Sequence, residues 1–386
     1  MSSRPSHPLR RTIRSLAVGF GVLVVIGGAL APLAASGSPG PRPHVIQVAK
    51  GVTLSTYIDR RFPIRVYVLM VDPSQGASIG TAFPGGGLGS LAPVSSLAKQ
   101  AGAIAAINGD FGSNSHRPTH PFVSGGDLVQ TSSVLGAMFS VSSDGSMRIG
   151  RPTQSVTVTE VDTGETWPIA AWNHGRPTIG ELTAYTAAGG SVDKPRPFTC
   201  SARLLPSGPT SSTGNGDARA YTVDRSACAS SSMAPNDGVV ISGEPGTNEA
   251  TFVRSLSAGE SIQINWSIGW PGVTDAIGGS HLLVEHGQVV LGSCSGAICG
   301  RNPRTAIGLG ADGRVMLVVV DGRQGSSVGL SLLELAQFMA GLGADAAMNL
   351  DGGGSSTMVV RGRVMNHPSD GFARSLVNAI VVRSRK

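Results

Sequence analysis

The sequence predicts an α+β fold: a mixed, strand-rich sheet core with few helices, glycine-rich turns and one long surface excursion. Three observations carry this expectation. Glycine supplies 54 of 386 residues, about twice its usual ~7% share, and favours tight turns over helices. From Val45 onward, short β-like runs recur between those glycines, several with period-two alternation. Only one segment carries a full set of helix signals. The lack of a Gly-X-Y period excludes collagen, and 40% apolar content argues against wholesale disorder.

Residues 1–36 read as a leader. Leu16 to Ala35 is uncharged and follows Arg4, Arg10, Arg11 and Arg14. At about 1.5 Å per residue its helix would reach ~30 Å, the depth of a bilayer core. A cleaved signal peptide, with Ala34-Ala35-Ser36 as exit, and an uncleaved membrane anchor both fit; Arg10-Arg11 also suits a twin-arginine signal. Either way the body is exported, extracellular or in the cell envelope. The leader's four arginines and no acid account for +4 of the formal net charge of +6, which leaves +2 for the remainder. A near-neutral body without a Lys/Arg stripe argues against a nucleic-acid partner. Residues 37–44 form a short tether, and 45–386 the working domain.

Within that domain Ile64–Val71, Ala103–Ile107, Ala137–Val141, Ser155–Val161 and Ser261–Ile264 are the clearest strands. Residues 193–237 are rich in Ser, Pro and Gly and read as a surface loop insertion. His281–Leu291 reads as a hairpin turning at His286-Gly287. Thr305–Leu309 and Arg314–Val320 form another, turning at Asp312-Gly313. Ser331 and Glu334 make a capping box; Leu332, Leu335, Phe338, Met339 and Leu342 follow helical spacing, and Gly343 ends the helix. Strands resume at Ala346–Leu350, Thr357–Val360 and Val377–Val382.

The four cysteines agree with export, where an even count implies disulfides. Cys294 and Cys299 flank a glycine-containing loop, and Cys200 and Cys228 bracket the excursion, so local pairing is expected. No Cys-x-x-Cys spacing or nearby histidine pair supports zinc.

The densest polar constellation lies in the last third. Arg304 precedes an apolar strand, Asp321-Gly322-Arg323 ends the run VMLVVV, and Asn349-Leu350-Asp351 leads into Gly352-Gly353-Gly354-Ser355-Ser356-Thr357. Carboxylates at strand ends stand beside loops that substrates reach. The three glycines let a ligand approach the backbone, whose N–H groups could form a nest for phosphate, and Arg304 or Arg323 offers a bidentate clamp. Taken singly, Asp-Gly is an ordinary turn and a glycine run ordinary flexibility; the conjunction is harder to dismiss.

These residues resemble the phosphodiester glycosidase domain. RTAIGLGADGRVMLVVVDGR, the helix, NLDGGGSST and NHPSD at 366–370 carry the likeness, tightly over 301–382. AAINGDF at 105–111 and DAIGGSHLLV at 275–284 carry it loosely upstream. The resemblance implies hydrolysis that frees a sugar, N-acetylglucosamine for instance, from a sugar-1-phosphodiester in an envelope glycan or exopolysaccharide. By matching position it puts Asn108, Asp110, Arg304, Asp321, Asn349, Asp351, Gly352, Gly353, Gly354, Ser355, Ser369, Asp370 and Arg374 near the cleft. Arg304 and the glycine amides would take the phosphate, Asp351 and Asp321 would share the nucleophile or base role, and Asn108 and Asp110 would grip sugar hydroxyls. Asp110, Asp321, Asp351 and Asp370 together could also hold a divalent cation. Gly112 departs from the family's second aromatic, and Ser280-His281 from its Gly-Pro. Of the histidines, His367 and His116 are candidates to touch substrate; His120 shares the His116 loop, and His174, His281 and His286 read as structural or surface. Two rival readings stay open. One is a catalytically silent polysaccharide-binding protein of the envelope. The other is a hydrolase using Ser355, which lacks the Gly-x-Ser-x-Gly elbow.

Overall fold

A computed structural model describes residues 43–190, 195–208, 217–228 and 233–384. The expected leader (1–36) and all but the end of the tether lie outside the described residues. Among those described, no helix is long and apolar enough to cross a membrane.

The centre is an eight-stranded antiparallel sheet. Its order is His44–Ala49, Val52–Asp59, Ile64–Val71, Val315–Val320, Arg304–Gly310, Ala344–Asn349, Leu282–Glu285 and Gln288–Val289. The strand Val315–Val320 is apolar at every position because both faces are covered and all six residues are buried. On one face lies the helix Leu332–Gly341, whose Leu332, Leu335, Ala336 and Met339 meet Val66, Val68, Val318 and Val320. Its capping box is formed as expected, Ser331 Oγ accepting from Glu334 N and Glu334 Oε2 from Ser331 N. Gly343 follows the last turn at φ 88°.

On the other face Leu69, Ile307, Leu317 and Met348 pack against Ile107, Met358, Ile380 and Val382. Those side chains come from a second antiparallel sheet, ordered Arg363–Val364, Met358–Val360, Ala105–Asn108, Ala379–Ser384 and Ala77–Ala82. Its outer face, Ala106, Val359, Ala379 and Val381, is covered by the helix Val94–Gln100. Helix, sheet, sheet and helix therefore stack as four layers. Each strand's two-residue period gives one side chain to each neighbouring layer.

A further sheet links this stack to a second core. In the strands Phe122–Ser124, Ala137–Ser142 and Val273–Gly279, Phe122, Phe139 and Ile277 face the first core, while Val123, Met138 and Ala276 face the second. That second core fills a closed barrel ordered Ser155–Glu160, Thr166–Trp172, Leu182–Tyr185, Val239–Gly243, Cys200–Pro206, Asp217–Cys228 and Ser261–Ser267. The helix Asn248–Ser255, capped by Thr247 Oγ1, packs on it through Phe252 and Val253.

The barrel corrects the reading of 193–237 as a loop insertion, because the described part of that segment supplies two of its strands. Ser, Pro and Gly there disguised an alternation such as Ala202, Leu204 and Val223 facing inward. Both disulfides pair locally, Cys200 with Cys228 across adjacent strands and Cys294 with Cys299 within one loop. The two hairpins turn where expected, with His286 at φ 49° and Gly287 at φ 69°, and Gly313 at φ 80°.

Candidate active site

Antiparallel pairing gathers the polar constellation at one edge. Arg304 opposes Val320, so Asp321 follows directly, and Ala306 opposes Asn349. The second sheet brings Asn108 to the same edge, where its Nδ2 donates to Asp351 O at 2.6 Å and its Oδ1 accepts from Thr305 Oγ1 and Thr357 N. Fully buried and committed to these three partners, Asn108 braces the two sheets where a sugar contact was expected.

A cavity of about 210 Å³ opens between these strand ends. It is lined by Phe111, Ala297, Ile298, Asn302, Arg304, Arg323, Asn349, Asp351, Gly352 and Gly353. Arg304 is 3% exposed, yet no carboxylate pairs with it among the described residues. Its Nε donates to Leu330 O at 2.8 Å and its Nη2 to Ile298 O at 2.7 Å and to Gly300 O. Burial, and then repulsion from Arg323, lowers its pKa to about 10. Carbonyls orient this cation without neutralising it. Arg323, exposed and held in the left-handed region at φ 60°, donates through Nε and Nη2 to Asn302 Oδ1. Two cations thus line one cavity, and neither forms a salt bridge among the described residues.

Asp351 faces the same cavity. Its pKa is raised to about 6, chiefly by desolvation and also by Asp110, against the lowering effects of the Ser355 hydroxyl, the Gly352 amide and Arg374. The Ser355 hydroxyl therefore donates to this carboxylate.

The glycine run works mainly through space. A side chain at Gly352 would strike Pro303 O, and one at Gly354 would strike Arg374 and Asp370. Gly353, at φ 61°, abuts the Arg323 guanidinium. The expected nest is not free, because Gly352 N donates to Asp351 Oδ1 and Gly353 N to Pro303 O.

Behind Asp351 lies a pair that the sequence reading missed. Asp110 Oδ1 is 2.7 Å from His120 Nδ1, and Oδ2 accepts from His120 N at 2.9 Å; both residues are buried. Gly278 leaves room for the His120 ring and Gly279 for Asn349 O, which explains why that element carries two glycines. Removing the Asp110 charge by Asp110→Asn is expected to lower the Asp351 pKa and move the acid limb of any activity profile to lower pH. A kcat/KM titration checks this, and an unmoved limb would break the link.

Asp321 stands apart from the small cavity. It is 1% exposed and accepts from His367 N at 2.9 Å and from Asn366 Nδ2 at 3.3 Å, while its Oδ2 lies 3.2 Å from His367 Nδ1. Burial raises its pKa. Tyr67, raised to about 12 by burial and by Asp321, remains a neutral phenol beside His367. Asp321 thus orients His367, whose ring borders a second cavity of about 600 Å³ with Gln324, Ser369 and Phe372. Asp370 is paired to Arg374 at 2.5 Å. The four aspartates considered for a cation do not converge: three have basic partners, and no group of three His, Cys, Asp or Glu among the described residues suits a metal.

Asn349 donates both Nδ2 bonds, to Ser280 Oγ and Leu350 O, so its buried Oδ1 is left without a partner. His281, joined to Ser280 Oγ at 2.9 Å, has its pKa lowered by burial and then by Arg304.

Residues 213–383 match the family model described as phosphodiester glycosidase. N-acetylglucosamine-1-phosphodiester alpha-N-acetylglucosaminidase of Bos taurus is 26% identical over 265 residues, 58% of this chain and 50% of that protein. An SPbeta prophage-derived uncharacterized protein of Bacillus subtilis (strain 168) is 37% identical over 82 residues, 21% of this chain and 13% of that protein. The chain therefore spans half or less of these relatives. A crystal structure of a hypothetical protein from Synechocystis superposes with TM-score 0.70 at 23% identity, covering 90% of this chain and 64% of that one, a likeness of fold alone.

Proposed function

We propose that this chain, whose residues 213–383 match the phosphodiester glycosidase model, is an exported hydrolase freeing a sugar from a sugar-1-phosphodiester. N-acetylglucosamine is the first sugar to test, in the setting of an envelope glycan or exopolysaccharide. One observation carries the reading: a buried arginine without a carboxylate partner shares a small cavity with a second arginine and a carboxylate of raised pKa. Two cations suit a phosphodiester, and the carboxylate suits the anomeric carbon beside it.

In this reading Arg304 and Arg323 bind the phosphate and stabilise the charge that builds as the sugar–oxygen bond breaks. Phosphate leaves readily, so little proton donation is required. Asp351 attacks the anomeric carbon or activates water, and in either role it must be ionised. Asn349 Oδ1 accepts a hydrogen bond from a sugar hydroxyl or amide. Asp321 acts through His367, which faces the larger cavity available to the rest of the substrate. The leader and the two disulfides support export.

The test is release of free sugar by the oxidised full chain from a panel of sugar-1-phosphodiesters, with and without EDTA. Turnover that rises with pH through about 6, insensitive to EDTA, is expected. A folded protein with no turnover that retains polysaccharide would instead favour a silent binder.

A further inference from the structure

Both cavity arginines are aimed by one short loop, and that loop is closed by the disulfide Cys294–Cys299. The carbonyls of Ile298 and Gly300 accept from Arg304 Nη2. The carbonyls of Ala297 and Gly300 accept from Asn302 Nδ2 at 2.9 and 3.2 Å. With its amide nitrogen held there, Asn302 turns Oδ1 toward Arg323, which donates to it at 3.2 and 2.8 Å. Ala297 and Ile298 also form part of the cavity wall.

Residues 295–298 are exposed, and Leu291, Cys294 and Cys299 pack against the core beneath the helix Leu332–Gly341. On the C-terminal side Cys299 O accepts from Leu332 N at 3.3 Å and Asn302 exchanges backbone hydrogen bonds with Leu330, so the disulfide's part is to hold the exposed residues between. A short Ser/Gly/Ala loop without closure samples many backbone conformations. Its carbonyls would then lose their aim, and two mutually repelling guanidinium groups would drift apart.

We propose that the Cys294–Cys299 disulfide is a positioning element of the phosphate site, holding Arg304 and Arg323 convergent through the Ile298 and Gly300 carbonyls and Asn302. The inference rests on the phosphate-binding reading above, so the test uses inorganic phosphate and does not depend on turnover. Calorimetry on the oxidised full chain is expected to show binding that Arg304→Met abolishes. The double variant C294S/C299S should bind about tenfold more weakly or worse, the scale of one well-placed charge-assisted hydrogen bond, with its circular dichroism unchanged. C200S/C228S should keep the wild-type affinity. Asn302→Ala should lose a comparable factor, and combining it with C294S/C299S should lose less than the product of the two, because both act through the same arginines. Wild-type affinity in C294S/C299S overturns the proposal. If that variant fails to fold, wild-type affinity in Asn302→Ala does so. A wild-type chain that binds no phosphate overturns both this proposal and the phosphate-site reading, whereas loss only in Arg304→Met leaves that reading intact and sinks the disulfide's role.

Discussion

Asp351→Asn is expected to lower kcat by about 10²–10⁴-fold, the range supplied by a positioned acid–base group, while making the folded protein more stable at pH 7. The two effects share one cause. Burial raises the Asp351 pKa from 3.8 to about 6, so the native state binds the proton more tightly than the unfolded chain. Between those values the native state carries more protons, and stability falls as pH rises through the window. Above it the whole cost is present; below about pH 4 it has vanished. At 1.36 kcal/mol per pKa unit the ceiling is roughly 3 kcal/mol, reduced by the partial exposure of the group. Asparagine keeps the shape and removes that cost. Its melting temperature should exceed that of the wild type at pH 7 and converge with it toward pH 4. Thermal melts across that range, beside sugar release, check the pair. Wild-type turnover in the variant would remove Asp351 from the chemistry, and equal melting temperatures at pH 7 would contradict its desolvation.

Much of the central stack was legible because its signals are local. VMLVVV needs two covered faces, the capping box from Ser331 to Glu334 needs only one turn, and Asp312-Gly313 needs only its own backbone. The edge where Arg304, Asn349 and Asp351 meet was legible as a set, since each residue ends or begins a recognisable strand. What stayed hidden depends on long-range closure. The barrel strands Cys200–Pro206 and Asp217–Cys228 alternate weakly and flank a Ser/Gly-rich stretch, so composition outweighed pattern. His120 sits in a Pro-rich loop that reads as solvated. Its burial follows from Gly278, a residue 158 positions away whose missing side chain makes the room. Amide commitment is equally invisible in sequence: three glycines suggest free N–H groups, but Asp351 and Pro303 had already taken two of them. Asp321 and Asp351 looked equivalent from their strand-end positions. Burial against His367 for one and a cavity wall for the other separates their roles.

The second large effect belongs to Arg304. Arg304→Met is expected to reduce kcat/KM by about 10²–10³-fold, the cost of removing one preorganised group that meets transition-state charge. Competitive inhibition by phosphate should disappear with it. Stability should change little or improve, because burying an unpaired guanidinium opposes folding and a methionine of similar length does not; the loss of three carbonyl partners offsets part of that gain. Arg304→Lys is the sharper comparison. Lysine preserves the charge, but its compact ammonium lacks the planar fork that reaches Leu330 O on one side and Ile298 O and Gly300 O on the other. If charge alone bound the substrate, lysine would restore most of kcat/KM. If direction matters, as the carbonyl cradle implies, lysine should remain at least tenfold below wild type. Steady-state kinetics of the three proteins, with phosphate inhibition and melts in parallel, distinguish the cases. A methionine variant with wild-type kcat/KM would remove the buried cation from the site altogether and leave Arg323 to bind the phosphate alone.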